Sequence, residues 1–189
     1  MNSNIADLRG KTVELNRAVD ALLIPDAYPM NLDAGFNVYI SQSLGSSYTV
    51  IYDGKMLRIA GEDADALGPE FVSAIAHAMP KLEGSTKDMV WTLLGTCYDP
   101  EIPVSIVELG LIYAVNILPM NDEDSAVRAH VVMTLTAPGC GMGPVLVEEI
   151  KQKLQTIPGV QDVVVELVFD PPWTQDMMDD AAKLALGIL

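Results

Sequence analysis

The sequence predicts an α+β fold in two parts. A small β-rich, barrel-like domain with its connector covers residues 1–80, and a two-layer α-β-β-α-β-α domain covers residues 81–189. Three observations lead there. Between residues 11 and 59, apolar runs of four or five residues alternate with Gly, Pro, Asn and Asp, the pattern of short strands and tight turns. From Lys81 onward the elements lengthen, and the apolar spacing alternates between helical and strand periods. Pro69, Pro80 and Gly84 interrupt the pattern where the two parts meet.

In the first part, residues 12–15, 21–24, 36–40, 48–52 and 56–59 each read as strands. Asp53-Gly54 between the last two is a strong hairpin signal. Pro25-Asp26 and Asp33-Ala34-Gly35 mark further turns. Residues 62–80, rich in Ala and Asp, read as a short helix and connector.

In the second part, Ser85-Thr86-Lys87-Asp88 resembles a capping box and opens a helix through Val90, Leu93, Leu94 and Cys97. Asp99-Pro100-Glu101-Ile102-Pro103 must end it, because two prolines cannot continue the ladder. A strand follows over residues 111–118. The acidic tip Asp122-Glu123-Asp124 leads into a strand over 127–136, with Val127, Ala129, Val131, Met133 and Leu135 on one face. Residues 137–143 form a tight loop, and Pro144 suits the start of a helix carrying Leu146, Val147, Ile150 and Leu154. Pro158-Gly159 closes that helix, and residues 161–169 form the third strand. Asp170-Pro171-Pro172-Trp173 then breaks the chain, with Trp173 as a packing anchor, and Thr174 caps a last helix toward Gly187.

Composition narrows the function classes. The 189 residues carry 26 acidic against 11 basic side chains, a formal net charge of −15 and a pI near 4.2. Nucleic-acid and anionic-membrane partners are therefore not expected, since phosphate contacts need clustered Lys and Arg. Half the residues are apolar, enough for a packed core and against disorder. No apolar run reaches the roughly 18–20 residues that span a bilayer. Met1-Asn2-Ser3-Asn4-Ile5-Ala6-Asp7 lacks the basic and apolar regions of a signal peptide, and two cysteines make no disulfide framework. A reducing cytoplasm is the expected compartment.

Cys140 is the leading candidate for chemistry. It stands in a loop with Gly139, Gly141 and Gly143, just before a Pro-started helix whose free N–H groups favour a nearby thiolate. The competing reading is a small buried hydrophobe, which needs no surrounding glycines. Asp99 and Glu101, with Glu108 a few residues on, are candidate ligands of a hard metal or partners of a thiolate. Their spacing alone fits helix-ending turn chemistry better. Cys97 falls at apolar spacing, which favours core filling over ligation. His77 and His130 make no zinc spacing with either cysteine. There is no Cys-x-x-Cys, and the glycine loop lacks the lysine of a nucleotide loop.

Two longer motifs carry a resemblance. Asp99-Pro100-Glu101-Ile102-Pro103-Val104, followed by Ile106-Val107-Glu108-Leu109-Gly110-Leu111-Ile112-Tyr113, resembles the opening of the iron–sulfur cluster assembly (FSCA-like) domain family. Met133-Thr134-Leu135-Thr136-Ala137-Pro138-Gly139-Cys140 resembles its cysteine loop, with Phe169-Asp170-Pro171-Pro172-Trp173 behind it. Residues 9–17, 42–45 and 63–68 extend the resemblance toward the family's SUF-pathway accessory proteins. The resemblance implies a non-enzymatic maturation factor that helps deliver clusters to client Fe–S proteins. It maps the family's cysteine onto Cys140 as cluster ligand or transfer thiolate, its acidic pair onto Asp99 and Glu101, and its loop threonine onto Thr136. The implied partners are Fe–S assembly proteins and client apoproteins. Fe–S clusters usually take four Cys ligands, so any cluster would be transient and shared with a partner, a small thiol or a second subunit, which favours a homodimer. The alternative is an interaction scaffold for the assembly machinery that never touches metal. A thiol-enzyme reading lacks support, because no general base accompanies Cys140.

Overall fold

The structure is a computed structural model that describes residues 8–120 and 126–188, apart from the side chain of His77. The signal-peptide reading of Met1 to Asp7 and the acidic tip Asp122-Glu123-Asp124 lie outside the described residues. Packing divides the chain into two compact units, Met1–Pro80 and Lys81–Leu189.

Among its described residues the first unit is a six-stranded antiparallel sheet with one α-helix. Its strands are β1 (Thr12–Glu14), β2 (Val19–Leu23), β3 (Pro29–Leu32), β4 (Asn37–Leu44), β5 (Ser47–Tyr52) and β6 (Lys55–Ala60). A 3₁₀ turn (Gly61–Ala66) and helix α1 (Pro69–Ala78) follow. The strand order is β1-β4-β5-β6-β2-β3, and no described pairing joins β1 to β3. The sheet is therefore open at both edges, which corrects the barrel-like expectation. Strand β3 was not predicted, because Pro29 and Asn31 disfavour strands; at an edge both are tolerated. Asp53 and Gly54 both take positive φ (49° and 70°), the type I′ geometry that the β5–β6 hairpin requires. The core gathers Val38, Ile40, Val50, Leu57, Ile59 and Phe71. Tyr48 packs edge-on to Phe71, and its hydroxyl donates to the Phe71 carbonyl at 2.6 Å, with burial pushing the phenol pKa up to about 12.

The second unit orders its elements α2 (Thr86–Leu94), β7 (Ile112–Pro119), β8 (Val127–Met133), α3 (Gly143–Leu154), β9 (Val160–Leu167) and α4 (Asp180–Ala185). Strand β8 is central, antiparallel to β7 and parallel to β9. The capping box opens α2: the Asp88 amide donates to Ser85 Oγ, and the Ser85 amide donates to Asp88 Oδ2. The helix ends at Leu94, short of the predicted Cys97. Thr96 and Cys97 continue as tight turns, their amides donating to the Leu93 and Leu94 carbonyls. Val90, Leu93 and Leu94 pack with Val131, Met133, Leu146, Ile150 and Leu154 into one core between helices and sheet. Thr174 does not cap the last helix as predicted. It precedes a 3₁₀ turn (Gln175–Met177), and the Asp179 carboxylate caps α4 by accepting from the Ala182 amide at 2.7 Å.

Candidate functional site

The topology of the second unit brings three chain segments to one end of its sheet. Strands β8 and β9 finish there, and β7 begins there, because β8 is parallel to one neighbour and antiparallel to the other. The Val168 amide donates to the Met133 carbonyl at 2.8 Å, and the Thr134 amide to the Leu111 carbonyl at 2.9 Å. Beyond these last ladder bonds the chain leaves β8 as the loop that carries Thr136 and Cys140.

Cys140 is half-buried and packs against the core, while Ala137, Pro138 and Gly139 beside it are exposed. The Cys140 amide donates to the Ala137 carbonyl, and the Gly143 amide to the Cys140 carbonyl at 3.1 Å, so the loop turns directly into α3. Met142 occupies the N-cap of α3 without a side-chain cap, and Pro144 supplies no donor in the first turn. Thr136 stands half-buried at the bend. The buried Thr134 hydroxyl has no hydrogen-bond partner among the described residues.

The acidic loop adjoins this foot through a short hydrogen-bonded path. The Leu111 amide donates to the Ile106 carbonyl and the Ile106 amide to the Cys97 carbonyl, both at 2.9 Å. An antiparallel bridge between Tyr98 and Ser105 closes the loop between them. Within it, Asp99 Oδ1 accepts from the Glu101 amide at 2.9 Å, an Asx turn. Burial holds the Asp99 carboxyl above the usual range, offset in part by the Glu101 and Ile102 amides. Glu101 is exposed.

The remaining candidates have structural duties. Glu108 Oε2 accepts from the Ser105 amide (3.0 Å) and hydroxyl (2.7 Å), while its own amide donates to Ser105 Oγ. That capping-box pattern fixes the 105–110 turn. Cys97 is fully buried, its thiol 3.6 Å from the Leu93 carbonyl. His130 lies on the open face of the sheet, 3.0 Å from Glu166. Among the described residues no group of three or more His, Cys, Asp or Glu side chains could hold a metal ion. The structure thus supplies one accessible thiol at the sheet end and an acidic loop tethered nearby, without a preformed metal cage.

Two features escaped the sequence reading. Lys153 is buried, and its ammonium reaches the chain just before Cys97. The spacing Glu149 to Lys153 was the available signal, but it has the look of an ordinary exposed helix pair. The segment 170–179 straps the 108–113 turn. The Trp173 indole donates to the Leu109 carbonyl at 2.8 Å, and the Tyr113 hydroxyl to the Pro171 carbonyl at 2.9 Å.

The second unit is an α+β domain that carries a thiol-bearing loop between its central strand and a helix start, and a turn built on Asp-Pro-Glu. The chain belongs to the iron–sulfur cluster assembly protein family, whose profile matches residues 87–167, wholly within the second unit. It is 43% identical over 107 residues to the Fe-S protein maturation auxiliary factor YitW of Bacillus subtilis (strain 168), covering 57% of this chain and 99% of that one. It is 48% identical over 90 residues to the Fe-S protein maturation auxiliary factor SufT of Staphylococcus aureus (strain USA300), covering 48% and 96%. The crystal structure of the domain of unknown function DUF59 from Bacillus anthracis is 37% identical, covering 55% of this chain and 93% of that one, with a TM-score of 0.47. Among the described residues, no helix is long and apolar enough to cross a membrane.

Proposed function

We propose that this chain is an accessory factor in iron–sulfur cluster assembly that helps mature or deliver clusters to client Fe–S proteins, without catalytic turnover. The observation that carries the reading is the family match over residues 87–167, which contains both the acidic loop and the cysteine loop. Cys140 acts as cluster ligand or transfer thiolate, with Asp99, Glu101 and Thr136 around the same end of the domain. The cluster is cargo. With Cys97 buried, one accessible thiol leaves most ligand positions of a four-cysteine cluster to a partner, a small thiol or a second copy of the chain. Assembly proteins and client apoproteins are the partners this chemistry needs.

One observation favours a second reading, a metal-free scaffold: no ready-made metal-ligand group exists among the described residues. Anaerobic reconstitution of the full chain with iron, sulfide and a small thiol separates the two. A carrier acquires visible sulfide-to-iron charge-transfer absorption that is absent in Cys140→Ser. A colourless wild-type product leaves the scaffold reading standing and sinks the carrier.

We also propose that the two units are independent folding domains, since each has its own core cluster. Residues 81–189 expressed alone should give one cooperative thermal transition and slow amide exchange in β8. A fragment soluble only when residues 1–80 are co-expressed would refute the division.

A further inference from the structure

A buried ion pair ties the last turn of α3 to the base of the acidic loop. Lys153 Nζ lies 3.0 Å from Glu149 Oε1, one turn earlier in the helix, with the two side chains 8% and 11% exposed. The same ammonium donates to the Thr96 carbonyl at 2.7 Å and to Thr96 Oγ1 at 3.1 Å. Taking two charges out of water is costly, and well-packed apolar replacements of such pairs are often neutral or stabilising. Stability alone therefore gives no reason for charge at this position. What an apolar side chain cannot supply is the hold on Thr96.

Thr96 precedes Cys97, whose carbonyl receives the Ile106 amide and so closes the base of the acidic loop. From Ile106 the hydrogen-bonded path runs to Leu111 and on to Thr134. The chain then passes through the cysteine loop into α3, and Lys153 in α3 reaches back to Thr96. The result is a closed ring of covalent and hydrogen-bonded links. The cysteine loop is one arc of it, and the acidic loop hangs from another. We propose that Lys153 is a positioning residue that sets the loop bearing Asp99 and Glu101 relative to Cys140; the inference rests on the maturation reading above. Glu149 holds the ammonium in place by pairing along the helix, in the favourable Glu-before-Lys order.

The test compares full-length variants in cells lacking the chain, scoring rescue of cluster-dependent enzyme activity and the melting temperature of each purified protein. The double variant Glu149→Leu with Lys153→Met removes both members of the ion pair together. It should melt close to the wild type or above it, yet rescue at least roughly tenfold less well. Lys153→Arg keeps the charge and a donor for Thr96, and should restore most of the rescue, which a purely space-filling role does not predict. Wild-type rescue by the folded double variant overturns the proposal. Cys140→Ser separates the two levels: if it rescues fully, the maturation reading has failed; if it alone fails, only the positioning role has. Should the double variant melt far below the wild type, Thr96→Val replaces it, removing the side-chain acceptor for Lys153 together with the hydroxyl's own bond to the Leu93 carbonyl, while leaving the ion pair and the Thr96 carbonyl contact. A several-fold loss of rescue is then expected, and full rescue overturns the proposal.

Discussion

Gly110→Ala is expected to lower the melting temperature of the second unit by roughly 12–15 °C, corresponding to about 3 kcal/mol of lost stability. Two costs add at this position. Gly110 has φ of +70°, where an L side chain pays about 1–2 kcal/mol. A Cβ there would also run into the Met177 carbonyl oxygen, backbone that cannot move aside cheaply. Forcing extra atoms into such a contact typically costs about 1–3 kcal/mol. The strap cannot simply lift, because Trp173, Tyr113 and the Asp179 amide all anchor it to the 108–113 turn. Gly139→Ala is the control: its φ is +83°, but nothing stands within 4 Å of the added Cβ. That variant should lose only the conformational part. Equal losses in thermal melts of the two variants would show that the strap does not press on Gly110.

Cys140→Ser should abolish function while leaving the fold intact. Cys140 is half-buried and follows the exposed residues Ala137, Pro138 and Gly139, so a hydroxyl there costs little. Cys97→Ser should behave in the opposite way. Cys97 is fully buried in the core cluster with Val90, Leu93, Leu94 and Ile106, and placing a more polar hydroxyl in that apolar setting costs about 1–3 kcal/mol. The pair of variants therefore dissociates stability from function. Thermal melts should rank Cys97→Ser below Cys140→Ser, and rescue of Fe–S enzyme activity should rank them the other way. Rapid alkylation of Cys140 and protection of Cys97 in the native chain checks the same assignment chemically.

Much of this organisation was legible in the sequence where local chemistry and burial agree. Asp53-Gly54 gave the β5–β6 hairpin because few other residues accept two consecutive positive φ values. Ser85 and Asp88 marked the start of α2 because a capping box is written in two side chains. The alternating Val127, Ala129, Val131 and Met133 placed β8 because one of its faces is buried and the other is open. The failures have physical causes too. Cys97 looked helical because its spacing from Val90, Leu93 and Leu94 is apolar and periodic. A turn held by the Leu93 and Leu94 carbonyls buries it equally well. Pro29 and Asn31 hid β3, since their cost vanishes at a sheet edge. The six-stranded sheet could not be told from a barrel, because closure depends on pairing between strands far apart in sequence. Around the candidate site, the motif residues Asp99, Glu101, Thr136 and Cys140 were readable, but the duties of their neighbours were not. Glu108 spends its carboxylate on Ser105, and Lys153 is buried despite belonging to a surface-like Glu–Lys pair. Both depend on tertiary contacts that leave no local signature.

The central claim, that this chain matures Fe–S proteins through Cys140, is tested most directly by cluster occupancy in cells. Fe–S enzymes are isolated anaerobically from cells that lack the chain and carry the wild type, Cys140→Ser or nothing. Iron and acid-labile sulfide per mole of each enzyme are then measured beside the amount of polypeptide. The account predicts normal occupancy with the wild type. With Cys140→Ser or with nothing, occupancy should be low for a subset of enzymes while their polypeptide amounts stay unchanged. Full occupancy in cells carrying Cys140→Ser would contradict it.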